Sequence, residues 1–152
     1  MSMSPSAEAL WNRYRQQVPD APETPYDCFH FCDNEADADE CADLVARDIK
    51  RGTAASVAEL ARAGMRLPVL GDMSVVTRWN GDAVAVIKTV QVDIRRFDDV
   101  DEAFARREGE GDKTLAYWRK VHDAYFRRVL KGSGVAVDGD LLIVCEQFER
   151  VL

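Results

Sequence analysis

The feature that most constrains the fold is a pair of apolar runs joined by a tight turn. Residues 73–78 read MSVVTR, and residues 83–94 continue as AVAVIKTVQVDI, which is rich in valine and isoleucine. Between them, residues 79–82 read Trp-Asn-Gly-Asp, and Asn-Gly between two apolar runs is the strongest short signal for a β-hairpin. The sequence therefore predicts two antiparallel strands near the middle of the chain.

Helical periodicity surrounds this hairpin on both sides. Helices are predicted at about 7–18, 35–49, 57–63, 98–107 and 113–130, with further strands at 26–31 and 141–151. Asp33 or Asn34 is expected to cap the second helix and Asp112 the last. Regular strand–helix–strand crossovers are absent from this order, which favours an α+β fold with a mostly antiparallel sheet or small barrel.

The length and the net charge of the chain exclude several classes of protein. The 152 residues suit one domain, residues 1–152, and the formal net charge is -7. A protein dedicated to duplex DNA is usually basic, so no duplex DNA partner is expected. No apolar run approaches the roughly 20 residues of a membrane span, and no secretory signal opens the chain. A cytoplasmic protein with four free cysteines is the expectation.

The stretch DIKRGTAAS, residues 48–56, brings Lys50 and Thr53 within three positions of each other. A threonine hydroxyl becomes a nucleophile when a base takes its proton. A lysine serves as that base where burial or a neighbouring cation, such as Arg51, lowers its pKa. The local pattern alone favours a simpler interpretation, in which Lys50 and Arg51 end a helix and Thr53 begins a strand.

A second candidate stretch is EGEGD, residues 108–112, where three carboxylates alternate with glycines. Such a loop can bind a divalent ion through oxygen. Asp112 is expected to cap the next helix and Glu110 to lie near its positive end. Glu108 has no such role in the cap and is the candidate carboxylate of a functional site. The alternative interpretation is that Glu108 is a solvated glutamate on the surface.

The predicted helix after this loop carries three further candidates. Trp118 and His122 are four residues apart, so they share a face, which is expected to be packed with His122 hydrogen-bonded. Arg119 is a candidate clamp for an anion. The segment Cys28-Phe-His30-Phe-Cys32 lacks the paired spacing of zinc sites, so buried thiols are expected there and no metal site is assigned.

Taken in order, several short motifs resemble the ASCH domain family of the PUA-like superfamily, over nearly the whole chain. The motifs are Trp11 with Tyr14 on the first helix, Phe29-x-Phe31, Ala38-Asp39-Glu40, Ile49-Lys50-Arg51-x-Thr53-Ala54, Leu67-Pro68-x-x-Gly71-Asp72, Phe97-x-x-Val100, Glu108-Gly-Glu110-Gly-Asp112, Trp118-Arg119-x-x-His122 and Cys145-Glu146-x-Phe148. The resemblance implies a small, mostly antiparallel β-barrel with flanking helices and a cleft for RNA or a nucleoside.

Members of that family differ in activity. Some resemble RNA-binding modules, some resemble metal-assisted ribonucleases acting on single strands, and the smallest are amidohydrolases that remove an acyl group from the exocyclic amine of cytidine. By resemblance to the amidohydrolases, Thr53 would be the nucleophile, Lys50 its base and Glu108 a proton shuttle. The family commonly has glycine where Cys32 and Asp48 stand.

Three functions follow as expectations. The first is an RNA- or nucleotide-interacting protein that grips single-stranded RNA through Lys50, Arg51 and Arg119, with Glu110 and His122 as further binding residues. The second is a hydrolase acting on a modified nucleoside, and the third is a ligand-binding domain without catalysis. No cofactor is required, and a divalent metal would enter only for a nuclease. Asp48 is expected to lie close to Lys50 and to hold it charged, which weakens it as a base.

Overall fold

A computed structural model describes residues 2–152 of the chain. The elements that it gives for these residues are, in chain order, α1 (Pro5–Gln17), β1 (Asp27–Phe29), α2 (Glu35–Ala46), β2 (Gly52–Ser56), α3 (Val57–Arg62), β3 (Met73–Thr77), β4 (Ala83–Arg96), a 3₁₀ turn (Phe97–Asp99), α4 (Glu102–Glu108), α5 (Leu115–Val129) and β5 (Leu142–Arg150). None of the helices in this part of the chain has the length and apolarity that crossing a bilayer needs.

The five strands form one curled sheet in the order β1-β3-β4-β5-β2. The pairing of β1 with β3 is parallel, and the other three pairings are antiparallel. The predicted hairpin joins β3 to β4, where Arg78 N donates to the Asp82 carbonyl at 2.8 Å and Gly81 has φ 95. The predicted α+β fold with a mostly antiparallel sheet is confirmed.

Strand alternation on β5 divides the sheet into two faces. Ile143 and Cys145 pack into a core with α4 and α5, whereas Val144 and Glu146 line a cavity on the opposite face. Phe148 points to the cavity side as well and packs against α2. We call this second side the cavity face, and it carries every site residue discussed below that belongs to a strand.

Several element boundaries differ from the predictions for local reasons. Helix α2, capped by Asn34, ends at Ala46 rather than near 49, and Asp48 then adopts φ 61. Thr114, not Asp112, caps α5, because its side chain accepts from Tyr117 N. Asp112 instead accepts from the backbone and hydroxyl of Thr114, so it holds the cap in place.

The predicted helix at 98–107 is also divided in two. A 3₁₀ turn occupies Phe97–Asp99, and α4 begins at Glu102 behind the cap Asp101, whose side chain accepts from Phe104 N at 2.9 Å. As a result α4 is only seven residues long and ends at Glu108. Because α4 ends there, Glu108 lies in the interior of the protein, where it belongs to the candidate site.

Candidate functional site

A cavity of about 340 Å³ lies between the cavity face of the sheet, α3 and α5. Its volume falls in the range of roughly 300–1,000 Å³ that is typical of small-molecule sites. Of the seven residues predicted for the site, five line this cavity: Lys50, Thr53, Glu108, Glu110 and His122. The fold therefore brings together residues that lie up to 72 positions apart in the sequence.

Lys50 lies at the centre of the polar contacts and is almost completely buried, at 2% exposure. Its Nζ donates to Glu108 Oε1 and to Glu110 Oε2, each at 3.1 Å, and more weakly to the Glu108 carbonyl at 3.5 Å. Burial alone would lower the pKa of Lys50, but the attraction of the Glu110 and Glu108 carboxylates outweighs burial and raises it. Lys50 is therefore an ammonium ion, which donates hydrogen bonds and cannot accept a proton.

A glycine holds the two acidic residues against the lysine. Gly109 has φ 72, and a Cβ built on it would lie 2.6 Å from the Ile49 carbonyl oxygen. A side chain cannot fit there, so only glycine permits the loop after α4 to approach the segment that enters β2. Arg51 N donates to the Arg107 carbonyl at 2.9 Å and fastens the same two segments.

Glu108 connects the lysine to helix α5. Its Oε2 accepts from Trp118 Nε1 and lies 3.3 Å from His122 Nε2. The Trp118 and His122 rings stack with centroids 4.1 Å apart, and His122 Nδ1 contacts the Trp118 carbonyl at 2.9 Å. The predicted shared face and hydrogen-bonded His122 are confirmed, and Glu108 is a buried residue rather than a solvated one.

Glu110 completes the network on the side of α2. Its Oε1 accepts from the Cys41 thiol at 2.9 Å, while Oε2 accepts from Lys50. Burial would raise the pKa of Glu110, but the Lys50 ammonium and the Cys41 hydrogen bond outweigh burial and lower it to about 2. Glu110 is thus a carboxylate over the whole neutral range, and it is an ion-pair partner rather than a surface charge near a helix end.

Thr53 lies on β2 directly opposite Glu146 of β5. Paired residues on neighbouring antiparallel strands point to the same face, with Cβ atoms about 4.5–5.5 Å apart. Ala54 packs on the other face of the sheet, so Thr53 and Glu146 face the cavity together. Glu146 Oε1 accepts from the Thr89 hydroxyl at 2.6 Å, and burial raises the pKa of Glu146.

Glu146 was not among the residues assigned to the site from the sequence. The sequence placed Glu146 on the last predicted strand, but it did not show that one face of this strand lines a cavity. The sequence also did not identify its pairing partner, because the short strand β2 has the sequence GTAAS, whose small residues have no strong preference for a strand. The suggestion that Thr53 starts a strand is close, since β2 begins one residue earlier, at Gly52.

Two of the predicted binding residues, Arg51 and Arg119, lie outside this cavity. Arg51 binds the carbonyl of Asp48 at 3.1 Å and the Asp48 carboxylate, and its side chain is 44% exposed. Arg119 donates to the carbonyls of Asp98 at 3.0 Å and Val100 at 3.5 Å. Neither lines the cavity. Because the Asp48 carboxylate pairs with Arg51, it is Glu108 and Glu110, and not Asp48, that keep Lys50 charged.

The cavity is acidic in spite of its buried lysine. Seven of its lining residues carry carboxyl groups: Asp27, Asp33, Asp37, Glu59, Glu108, Glu110 and Glu146. The two lining cations with permanent charge are both paired, Lys50 with two glutamates and Arg128 with Asp33 at 2.7 Å. Within residues 2–152, no unpaired lysine or arginine lines this cavity.

Glu108, Glu110 and His122 offer ligand atoms that all lie within 4.8 Å of one another. Carboxylate and imidazole ligands suit several divalent metals. The Lys50 ammonium, however, already lies 3.1 Å from an oxygen of each glutamate. A metal ion at this position would have to displace the ammonium or bear its repulsion, so the donor set fits a metal poorly while Lys50 is in place.

A family model and a solved structure both relate this chain to the same family. A family model described as ASCH domain matches residues 27–152. An ASCH domain structure from Lactobacillus crispatus JV V101 is 30% identical with a TM-score of 0.88, covering 99% of this chain and 97% of that one. Protein EF3133 from Enterococcus faecalis V583 is 26% identical with a TM-score of 0.87, covering 96% and 88%. No curated protein matches the sequence.

Proposed function

Because this chain belongs to the ASCH domain family, whose fold is PUA-like, we propose that it is a hydrolase that takes a neutral acylated nucleoside into the cavity beside Lys50. The observation that carries this proposal is a cavity of about 340 Å³ with an ammonium ion clamped by two glutamates and, among residues 2–152, no unpaired lysine or arginine in its lining. The size suits one nucleoside better than an extended strand of RNA.

The charge of the lining supports a substrate without phosphate. A phosphate group needs arginine, lysine or free backbone donors to replace its water. Here the guanidinium of Arg128 and the ammonium of Lys50 are already neutralised by carboxylates. Carboxylates instead accept hydrogen bonds from ribose hydroxyls and from amine groups on a base, and the rings of Phe31 and Tyr125 at the cavity wall suit an aromatic ligand.

We assign the roles in the reaction as follows. The Thr53 hydroxyl attacks the acyl carbon and passes its proton to Glu146. The bond from the acyl carbon to the exocyclic nitrogen breaks, the amine takes the proton from Glu146, and cytidine leaves. Water then attacks the acyl-threonine ester, which releases a carboxylic acid and restores Thr53. These steps follow the general pattern of a nucleophile activated by a neighbouring base.

Lys50 has a different part in this scheme from the base role that the family resemblance implied. Its raised pKa keeps it protonated, so it stabilises the negative charge that develops on the acyl oxygen. Its third and weakest hydrogen bond, 3.5 Å to the Glu108 carbonyl, is the one free to turn towards substrate. Glu108, in contact with His122 at 3.3 Å, is proposed to shuttle the proton to and from water.

The direct test of this function uses three substrates in parallel. N-acetylcytidine, its 5′-monophosphate and a single-stranded RNA carrying the same base are incubated with the protein, and release of acetate or of the deacetylated product is followed by chromatography. We expect hydrolysis of the nucleoside, with kcat/KM for the monophosphate lower by about 10-fold or more, because the acidic lining repels the phosphate. Equal or better hydrolysis of the RNA would contradict the proposed substrate class.

A second experiment tests Glu146 as proton acceptor. A carboxylate accepts a proton only when ionised, and burial raises the pKa of Glu146 above its ordinary 4.5. We therefore expect kcat to fall as the pH drops through this raised pKa. Glu146→Gln should lower kcat by about 100-fold with little change in KM and should lose this acidic limb. Glu149→Gln, on an exposed residue of the same strand, is the matched control.

Metal-assisted cleavage of single-stranded RNA is the second candidate, because Glu108, Glu110 and His122 offer ligands within 4.8 Å. It requires the ammonium of Lys50 to yield its place between the carboxylates. RNA cleavage that depends on added Mg²⁺ or Mn²⁺ and stops with a chelator would favour this candidate over the hydrolase. Nucleoside binding without any turnover would instead leave a ligand-binding domain as the function.

A further inference from the structure

Two thiols meet at the edge of the cavity. Cys32, in the loop after β1, and Cys41, on α2, have their sulfur atoms 3.8 Å apart, and neither forms a disulfide. Cys32 is partly exposed and lines the cavity, whereas Cys41 is buried at 3% exposure. A small oxidant that enters the cavity can therefore reach the first thiol, with the second in contact behind it.

The buried thiol is also bonded directly to the site. Cys41 donates its proton to Glu110 Oε1 at 2.9 Å, and the other oxygen of the same carboxylate accepts from Lys50. Glu110 thus has two hydrogen-bond donors, one of which is an S–H group. A disulfide has no S–H, so any bond formed at Cys41 removes one of the two donors that hold the carboxylate beside Lys50.

We propose that Cys32 and Cys41 form a peroxide-oxidisable pair whose disulfide alters the substrate cavity. Hydrogen peroxide first transfers one oxygen atom to the Cys32 sulfur, which gives a sulfenic acid, and its other oxygen leaves as water. The Cys41 sulfur then attacks the sulfenic sulfur, the S–S bond forms, and the hydroxyl departs with the Cys41 proton as a second water. Two thiols lose two electrons in total, and one peroxide gains them.

The order of the two steps follows from the surroundings of each sulfur. The hydrogen bond with Cys32 and burial together hold the pKa of Cys41 far above its usual range, so this thiol stays protonated at rest. Peroxide must reach the sulfur that it oxidises, and Cys32 is the partly exposed thiol that lines the cavity, so Cys32 is the first sulfur attacked. Cys41 then acts as the resolving thiol.

The bond requires the sulfur atoms to move from 3.8 Å to the roughly 2.05 Å of a disulfide. Cys32 lies outside the regular elements, between the end of β1 and the cap Asn34 of α2. It also adopts φ 63, which is unfavourable for a residue with a side chain. A short loop of this kind can adjust without breaking the sheet or the helix.

Formation of the disulfide is tested by mass spectrometry on the full chain. After treatment with hydrogen peroxide, we expect the loss of two hydrogen atoms and a peptide pair that links residues 32 and 41. Cys32→Ser and Cys41→Ser should each abolish this product, and Cys28→Ser, on a free cysteine of β1 outside the lining, should leave it unchanged. Oxygen addition without a cross-link, or no change in mass, would overturn the proposal.

The effect on the cavity rests on the proposed function and is measured separately. We expect affinity for N-acetylcytidine, measured by calorimetry, to fall by about 10-fold on oxidation and to recover with dithiothreitol. Cys41→Ser keeps a donor for Glu110 and should bind equally well before and after peroxide. A cross-linked protein with unchanged affinity would overturn the effect on the site. Failure of the reduced protein to bind any nucleoside would refute the proposed function, and the mass measurement would still decide the disulfide.

Discussion

Replacing Lys50 with methionine is expected to lower the free energy of unfolding by about 3–5 kcal/mol, although methionine fills nearly the same volume. The substitution leaves Glu108, at 2% exposure, and the mostly buried Glu110 without their shared counter-ion. Removing one partner of a buried ion pair costs this much because an uncompensated charge remains in a medium of low polarity. Urea denaturation followed by circular dichroism measures the change.

The control for this experiment is Lys88→Met, which alters an exposed lysine on β4. Its effect is expected to stay within about 0.5 kcal/mol. Adding Glu108→Gln and Glu110→Gln to the Lys50→Met variant should recover part of the lost stability, because neutral amides no longer need a counter-ion. A loss below about 1 kcal/mol for Lys50→Met would show that Lys50, Glu108 and Glu110 do not form a buried network of charges.

Thr53→Ala is expected to reduce kcat for N-acetylcytidine by at least about 1,000-fold, because the variant has no hydroxyl to form the acyl intermediate. Thr53 is only half-buried and its side chain has no hydrogen bond among those found for residues 2–152, so stability should change by less than about 1 kcal/mol. Release of free cytidine, followed by chromatography under single-turnover conditions, measures the rate.

Two variants make this result specific. Thr53→Ser keeps a hydroxyl and should retain a measurable part of the activity, and mass spectrometry should detect a transient acyl adduct on it. Thr24→Ala changes an exposed threonine outside the cavity and should behave as the unaltered protein. Activity of Thr53→Ala above about a tenth of the original value would exclude Thr53 as nucleophile and leave water, activated by Glu146, as the attacking group.

The protonation of Lys50 changes how the family resemblance applies to this chain. A lysine that activates a threonine needs a pKa near neutrality, which burial without an acidic partner can provide. In this protein two carboxylates contact the ammonium at 3.1 Å and have the opposite effect on its pKa. Glu146 lies directly across the strand pair from Thr53, and burial raises its pKa, so the proton is assigned to it.

Local patterns were sufficient for most elements. The Asn-Gly turn gave the β3–β4 hairpin, and periodicity gave α1, α2, α3 and α5 with ends mostly within two or three residues of those observed. The parallel pairing of β1 with β3 was not predicted, because the partner of a short strand depends on distant residues. For β2 the sequence suggested only that a strand begins at Thr53 and gave no end or partner, since four of its five residues are small and lack strong strand preference.

The sequence by itself determined the elements, the acidic character of the chain, and a short set of candidate residues that contained Lys50, Thr53 and Glu108. Only the tertiary structure decided their chemistry. The distances between these side chains, their burial and their charged partners depend on the close approach of the loop after α4 to the segment before β2 at Gly109. This approach places Lys50 between Glu108 and Glu110. The pKa of a side chain is set by such surroundings and not by spacing along the chain, so the Lys-x-x-Thr spacing could not decide whether Lys50 has the base role that the family resemblance implied.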